Sequence, residues 1–357
     1  MKKPLIYITC FISFLFLSGC LTFVWHKSDV CYNGTNKGKI ATSLIPVEEI
    51  IEKDNSTNNN DYEIYIMNPD GTNMERVTDN NFHDILPTWS PDGTKIAYFR
   101  LIPAGNDQYD TVLCIYNTSL KKETEHKLSI PIEDYFGIPF FISDTRLMLS
   151  NGTKGKIRII DIDNDFAESQ TPITGYPTSV KNGVIAYMSD KDNETFFYIQ
   201  DSNGNILMKK KEVFVLPQSI VGDTIFYLAY TKREPYNEFL QVRSLDTKTH
   251  EDILVYQTRQ KSGEMLSFAV SADKKYFAIY LKEPNHILIY NISASKTEGK
   301  FTFADKLNDK PYPVWSPDNK TIYFWIGSTF YHINPQGETV NKIDFTSKFK
   351  RKNEDGF

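Results

Sequence analysis

Two nearly identical phrases stand near opposite ends of this 357-residue chain: Pro87-Thr88-Trp89-Ser90-Pro91-Asp92-Gly93-Thr94-Lys95-Ile96-Ala97-Tyr98 and Pro313-Val314-Trp315-Ser316-Pro317-Asp318-Asn319-Lys320-Thr321-Ile322-Tyr323. Each predicts a short strand, a tight turn of Pro, Asp and Gly or Asn, and a second strand of apolar residues, which together make one hairpin of a repeated unit. A repeat scaffold of this kind carries its function in loops that vary from unit to unit.

Other units follow the same rhythm. Residues 61–78 hold a third and fourth strand joined by Pro69-Asp70-Gly71, and Lys39-Ile40-Ala41 echoes the second strand ahead of them. Taking Ile96, Met148, Ile185, Ile225, Ala278 and Ile322 as equivalent second-strand positions, the steps are 52, 37, 40, 53 and 44 residues. A period of roughly 45 residues with four short strands per unit is that of a propeller blade. Helical periodicity is absent over any comparable length, so the expected fold is an all-β propeller of four-stranded blades, seven in number with six as the alternative. The first unit lacks a clear first strand, and Ser347–Arg351 is a candidate to supply it and lock the termini together.

Each blade packs on two neighbours, so its second and third strands should be apolar on both faces and its fourth polar at the rim. Ile96-Ala97-Tyr98-Phe99 and Ile322-Tyr323-Phe324-Trp325 meet that demand. Trp89 and Trp315 then serve as anchors between blades, and Asp92 and Asp318 accept turn amides. On these residues the units resemble the WD-like repeats of TolB-type β-propellers. Their consensus runs Trp-Ser-Pro-Asp-Gly, an Ile-Ala-Phe-like strand, an Ile-Tyr-Val-like strand with an Asp-Gly turn, and Leu-Thr. Residues 61–99 and 312–345 match it closely and 266–292 in part, whereas the third to fifth units keep the strands but lose the Trp and the turn. The resemblance implies docking of peptides or lipoprotein partners at the channel mouth. A separate amino-terminal domain of the TolB sort is not evident here.

The start of the chain carries an export signal: Met1-Lys2-Lys3, an apolar stretch over residues 4–19, and Leu17-Ser18-Gly19-Cys20. Those last four residues resemble the lipobox of bacterial lipoproteins. This implies a signal peptide over 1–19, lipid attachment at Cys20, a tether over 20–37 and a propeller domain over 38–357. The apolar run continues through Leu21, Phe23, Val24 and Trp25, so a signal anchor is the alternative. In a Gram-negative cell Leu21, not being Asp, favours the outer membrane, facing the periplasm. Seven Asn-x-Ser/Thr sequons, at Asn33, Asn55, Asn117, Asn151, Asn193, Asn291 and Asn319, would suit a glycosylated chain, but Asn319 lies inside a repeat turn.

The net charge of −5 gives no reason to expect nucleic acid as a partner, since its phosphates demand a basic face. No two of His26, His83, His126, His250, His286 and His332 fall at metal-ligand spacing. Asp161-Ile162-Asp163-Asn164-Asp165 lacks the Gly and distal Glu of a calcium loop. No nucleophile elbow or phosphate loop is present, and no cofactor or metal is expected. Cys31 and Cys114 are available for a bridge in an oxidising compartment, while Cys114 alone suits a core.

The expected working surface is the mouth formed by loops entering the first strands and joining the second and third. Its candidate binding residues are His83, Asp84, Tyr135, Tyr176 and Tyr312, since rings beside charge suit protein or glycan recognition. The expectation is a monomeric, non-enzymatic envelope propeller that binds a protein or cell-wall partner. The alternative, a propeller lyase or glycan hydrolase, requires acids or histidines converging on the axis.

Overall fold

The computed structural model describes residues 31–32, 39–44 and 61–345, except 106–107, 129–138, 150–155, 182–183, 192–193, 202–203, 212–217, 234–236, 260–266, 283–284, 304–310 and 327–328. Lipid attachment at Cys20, the leader 1–19, Tyr135 and the segment Ser347–Arg351 lie outside these residues.

Among the described residues all regular structure is β, arranged as seven four-stranded antiparallel blades of a propeller. Blade 1 comprises Cys31–Tyr32, Ile40–Leu44, Glu63–Met67 and Glu75–Arg76, and blade 2 His83–Trp89, Lys95–Gly105, Gln108–Asn117 and Lys122–Lys127. Blade 3 comprises Phe140–Ser143, Arg146–Leu149, Lys156–Asp161 and Ala167–Thr174, and blade 4 Tyr176–Lys181, Val184–Lys191, Glu194–Gln200 and Ile206–Lys211. Blade 5 is Gln218–Val221, Thr224–Arg233, Asn237–Asp246 and Asp252–Arg259. Blade 6 is Phe268–Val270, Tyr276–Leu281, His286–Asn291 and Lys296–Thr302, and blade 7 Val314–Trp315, Ile322–Ile326, Thr329–Ile333 and Thr339–Asp344. Every blade is made of four consecutive strands paired in chain order. Blade 1 draws its first strand from Cys31–Tyr32, within the stretch read as tether, so no carboxy-terminal strand is needed to complete it.

The turn between first and second strands explains why the repeat needs its polar residues. In blade 2 Ser90 Oγ donates to Asp92 Oδ1, Asp92 accepts the Thr94 N–H at 3.0 Å, and the Lys95 N–H donates to Ser90 Oγ at 2.9 Å. Blades 6 and 7 repeat the pattern on Ser271 with Asp273 and on Ser316 with Asp318. The fourth turn residue adopts positive φ in each case: Gly93, Lys274 and Asn319. Asn319 Oδ1 also accepts the Ala272 N–H at 2.7 Å, so this sequon asparagine ties the turn of blade 7 to that of blade 6.

The core is divided into seven apolar clusters, and each is shared by two adjacent blades. Trp89 packs with Ala41, Ile64 and Ile66 across the 1–2 seam, and Trp315 with Ala278, Ile287 and Ile289 across the 6–7 seam. Trp315 also stacks on Tyr276 and donates from Nε1 to the Ala269 carbonyl. Both indoles are the expected anchors between blades. The remaining clusters fill seams 2–3, 3–4, 4–5 and 5–6, and Ile40, Tyr65 and Met67 meet Tyr323, Trp325, Phe330 and Phe345 to close 7 onto 1. Fourth strands such as Lys122–Lys127 and Thr339–Asp344 are largely exposed, as a polar rim requires. Cys114 is a free, fully buried thiol within the 1–2 seam.

Outer strands also press on the neighbouring blade. A Cβ on Gly299, in the fourth strand of blade 6, would lie 2.2 Å from the Gln336 carbonyl carbon in the last turn of blade 7. Gly299→Ala is therefore expected to destabilise the protein by about 1–3 kcal/mol or more through overpacking against backbone. The measurement is the urea midpoint, and an unchanged midpoint would contradict this contact.

Candidate functional site

Antiparallel strands place the starts of the first strands and the loops between second and third strands on one face of the ring, the mouth. His83 opens the first strand of blade 2 there. Its Nδ1 accepts the Tyr62 N–H at 3.3 Å and lies 3.5 Å from Asp61 Oδ1. The Tyr62 and Tyr109 rings flank it at centroid distances of 5.9 and 6.4 Å. Tyr62 and Tyr109 were not singled out in the sequence, although each sits next to a carboxylate, Asp61 and Asp110. Tyr312 is half-buried just ahead of the first strand of blade 7, and Tyr176 begins the first strand of blade 4, paired with Met188. The structure thus distributes His83, Tyr176 and Tyr312 over three blades.

Asp84 behaves differently from its neighbour. It is fully buried, and its carboxylate holds the Arg100 guanidinium from two sides, Nε at 2.8 Å and Nη2 at 3.1 Å, while Asn80 Nδ2 donates at 2.7 Å. A bulge produces this orientation. The pairing of Trp89 with Ile96 and of Ile85 with Phe99 is interrupted between them, and Leu86, ahead of Pro87, takes φ of 58°. That one-residue shift turns Ile85 and Leu86 toward blade 3 and Asp84 toward blade 1, where Arg100 points. A positive φ on Leu costs about 1–3 kcal/mol, which the burial of Leu86 offsets.

Arg100 is a hub on the face of blade 2 that meets blade 1. Besides Asp84 it donates to both oxygens of Glu123, at 2.9 and 3.1 Å, and to Glu125, and Tyr98 donates to Glu123. Across the seam, Glu63 of blade 1 is buried and accepts from Thr78 Oγ1, the Asn80 N–H and Arg76. Burial raises the Glu63 carboxyl to about 6 and the Glu123 carboxyl to about 8, the latter also through its hydrogen bond with Glu125 and the nearby charges of Asp84, Glu125 and Glu63. Burial likewise raises the Cys114 thiol. Blade 5 holds a related hub: Tyr227 and Lys210 contact Asp252, which Arg243 Nε reaches at 3.0 Å. There two cations face one carboxylate, whereas three carboxylates crowd Arg100.

Among the described residues, one group of three His, Cys, Asp or Glu ligand atoms comes within 4.8 Å of one another: Cys114, Glu123 and Glu125. It lies on third and fourth strands, away from the axis, and Arg100 already supplies its counter-charge. At the opposite face, Asn68, Pro69, Asp70, Thr321, Tyr323, His332 and Val340 line a groove of 480 Å³ on the 7–1 seam. His332 is buried there edge-on to Tyr323 and Phe330, its Nε2 without a hydrogen-bond partner, and burial lowers its pKa to about 4.

No protein-family model and no curated protein sequence matches this chain. Solved structures do. The structure described as a complex of KlAtg21 with the coiled-coil of AgAtg16 has a TM-score of 0.58 at 14% identity, covering 88% of this chain and 98% of that one. Kuenenia stuttgartiensis hydrazine synthase has 0.54 at 11%, covering 87% and 95%. TolB from Acinetobacter baumannii has 0.44 at 18%, covering 72% and 62%. The first two share the fold with this chain, and at such identities the fold is what the likeness shows.

Removing Asp84 takes two hydrogen bonds from the buried Arg100 guanidinium, which keeps Glu123 and Glu125, and takes from Asn80 Nδ2 its carboxylate acceptor. Asp84→Ala is expected to cost about 1–3 kcal/mol, the range for leaving buried donors unsatisfied, whereas Lys121→Ala, which breaks an exposed pair with Glu75, leaves stability nearly unchanged. Chemical denaturation of both variants checks this, and equal effects would contradict a structural role for the hub.

Proposed function

We propose that this chain is a non-enzymatic binding propeller, held at the cell envelope through its amino-terminal leader, that presents its mouth to a protein or cell-wall partner. The observation that carries this reading is the trio of His83, Tyr62 and Tyr109 at the mouth of the 1–2 seam. Rings of two torsions each supply contact area at low entropic cost, and Asp61 and Asp110 beside them supply polar recognition. Beneath the trio Arg100 ties the first, second and fourth strands of blade 2 together, so this part of the surface is organised before a partner arrives. That KlAtg21, a propeller of similar fold, is described with a coiled-coil supports a macromolecular partner as a use such a ring can serve.

Anchoring rests on Leu17-Ser18-Gly19-Cys20, which proposes a thioether-linked lipid on Cys20, with a signal anchor as the alternative. An outer-membrane, periplasm-facing location follows if the cell is Gram-negative. The propeller acts as a monomer.

One experiment tests both parts: the full chain is expressed with radiolabelled palmitate, solubilised, crosslinked in envelope extract and compared with Cys20→Ala and with His83→Ala/Tyr109→Ala. Label is expected to vanish from the first variant alone, and a specific crosslinked species from the second alone. A label that persists in Cys20→Ala overturns the lipid anchor, and crosslinking unaffected by His83→Ala/Tyr109→Ala overturns the mouth as the docking face.

A further inference from the structure

We propose that the groove between blades 7 and 1, on the face opposite the mouth, is a docking site for the guanidinium of an arginine side chain presented by a partner protein. This surface is separate from the mouth, and what it binds does not depend on what the mouth binds.

The groove lies where the repeat changes character. Equivalent paired positions on the second and third strands are Ala41 with Ile66 in blade 1, Ala278 with Ile289 in blade 6, and Tyr323 with His332 in blade 7. In the 1–2 and 6–7 seams the next blade's tryptophan, Trp89 or Trp315, packs on the Ala–Ile pair. At the 7–1 seam the strand pairing sets Tyr32 opposite Ile40, the place that Trp89 holds opposite Ile96 and Trp315 opposite Ile322. An apolar pair that receives an indole is thus replaced by a phenol and an imidazole. His332 is 5% exposed, and its Nε2 has no hydrogen-bond partner. Burying a polar atom in this way costs stability, and folded proteins leave few such atoms. An isoleucine, as in blades 1 and 6, would pack here without that cost, so the imidazole serves the groove it lines.

Charge selects the ligand. Blade 1 contributes Asp70 from a turn that is already fixed: Asp70 Oδ1 accepts the Thr72 N–H at 2.9 Å and the Thr72 hydroxyl at 2.6 Å, and Asn68 Nδ2 donates to Thr72 Oγ1 at 3.0 Å. Asp70 Oδ2 and Asn68 Oδ1 take no hydrogen bond among the described residues. The bonds from Thr72 hold the Asp70 carboxyl below its ordinary range, and burial keeps His332 uncharged at neutral pH. The groove therefore carries one negative charge, and none of the residues lining it is a cation. Carboxylate, amide oxygen and neutral imidazole all offer acceptors, so the complementary ligand is a cation with several donors. A guanidinium presents five N–H donors in one plane and lies well against an aromatic wall, which Tyr323 supplies. Pro69 and the 63% exposed Val340 flank the groove with apolar surface for the methylene stem.

Photocrosslinking with a small probe tests this on the full-length protein in detergent. The probe is acetyl-Arg-benzoylphenylalanine-amide, compared with its citrulline and lysine counterparts, and attachment is mapped by peptide mass. Citrulline keeps the shape of arginine without its charge. Attachment within residues 68–72 or Thr339–Asp344 is expected to be at least about tenfold greater for the arginine probe than for the citrulline probe, and greater than for the lysine probe. It is expected to fall by a similar factor in Asp70→Asn, an exposed change that leaves Thr72 an acceptor. His332→Leu is expected to lose attachment while its urea midpoint stays at or above that of the wild type, a combination that a purely structural histidine would not give. Equal attachment of the arginine probe and either counterpart, attachment only elsewhere, or attachment unchanged in Asp70→Asn or in folded His332→Leu overturns the proposal. Should His332→Leu not fold, Asp70→Asn decides.

Discussion

Each blade pairs its four strands with one another, so one blade is held to the next mainly by side-chain packing, supplemented by a few hydrogen bonds such as Asp84 N–H to the Tyr62 carbonyl and Ala272 N–H to Asn319. This constraint governs the rest of the molecule. A blade must bury both faces of its second and third strands, and it does so by sharing one apolar cluster with each neighbour. The ring then closes without any exchange of strands: blade 1 completes itself with Cys31–Tyr32, and Met67, Tyr65 and Ile40 meet Trp325, Phe330 and Phe345 at the last seam. Polar turns such as Ser90 with Asp92 and Ser316 with Asp318 orient the hairpins, and Asn319 links successive turns.

Where charge replaces apolar packing, the seam acquires chemistry. In the 4–5 seam Lys210 and Arg243 together balance Asp252, and the arrangement is a stable cross-brace. On the face of blade 2 that meets blade 1 a single Arg100 holds Asp84, Glu123 and Glu125 and so braces three strands of its own blade. Both hubs use a tyrosine of the second strand, Tyr98 and Tyr227, as the hydrogen-bond donor to the carboxylate.

Much of the architecture was legible in the residues, because the turn chemistry of Ser-Pro-Asp-Gly and the alternation around Ile96 and Ile322 are local. The positions of Trp89 and Trp315 followed from the same repeat. Closure was less legible: two residues, Cys31 and Tyr32, carry no strand signal of their own and pair only because Ile40 and Ala41 present an edge. The site was the least legible. His83 and Asp84 are adjacent in sequence and a plain strand would set them on opposite faces, but nothing local announces the bulge at Leu86 that turns Asp84 into the seam toward Arg100. Glu123 and Glu125 read as ordinary polar residues of an outer strand. Only their convergence on Arg100, over 20 residues away in the chain, reveals the excess of acid.

The central claim, that the shared apolar cluster of blades 7 and 1 closes the ring, is tested most directly by hydrogen exchange on Phe330→Ala. This change removes a fully buried ring from the 7–1 seam without touching blade 1 covalently or by hydrogen bond. The account predicts faster exchange of the Ile40–Leu44 and Glu63–Met67 amides in blade 1 as well as in blade 7, while blades 3 and 4 keep their protection. Exchange confined to blade 7, with blade 1 as protected as in the wild type, would contradict it.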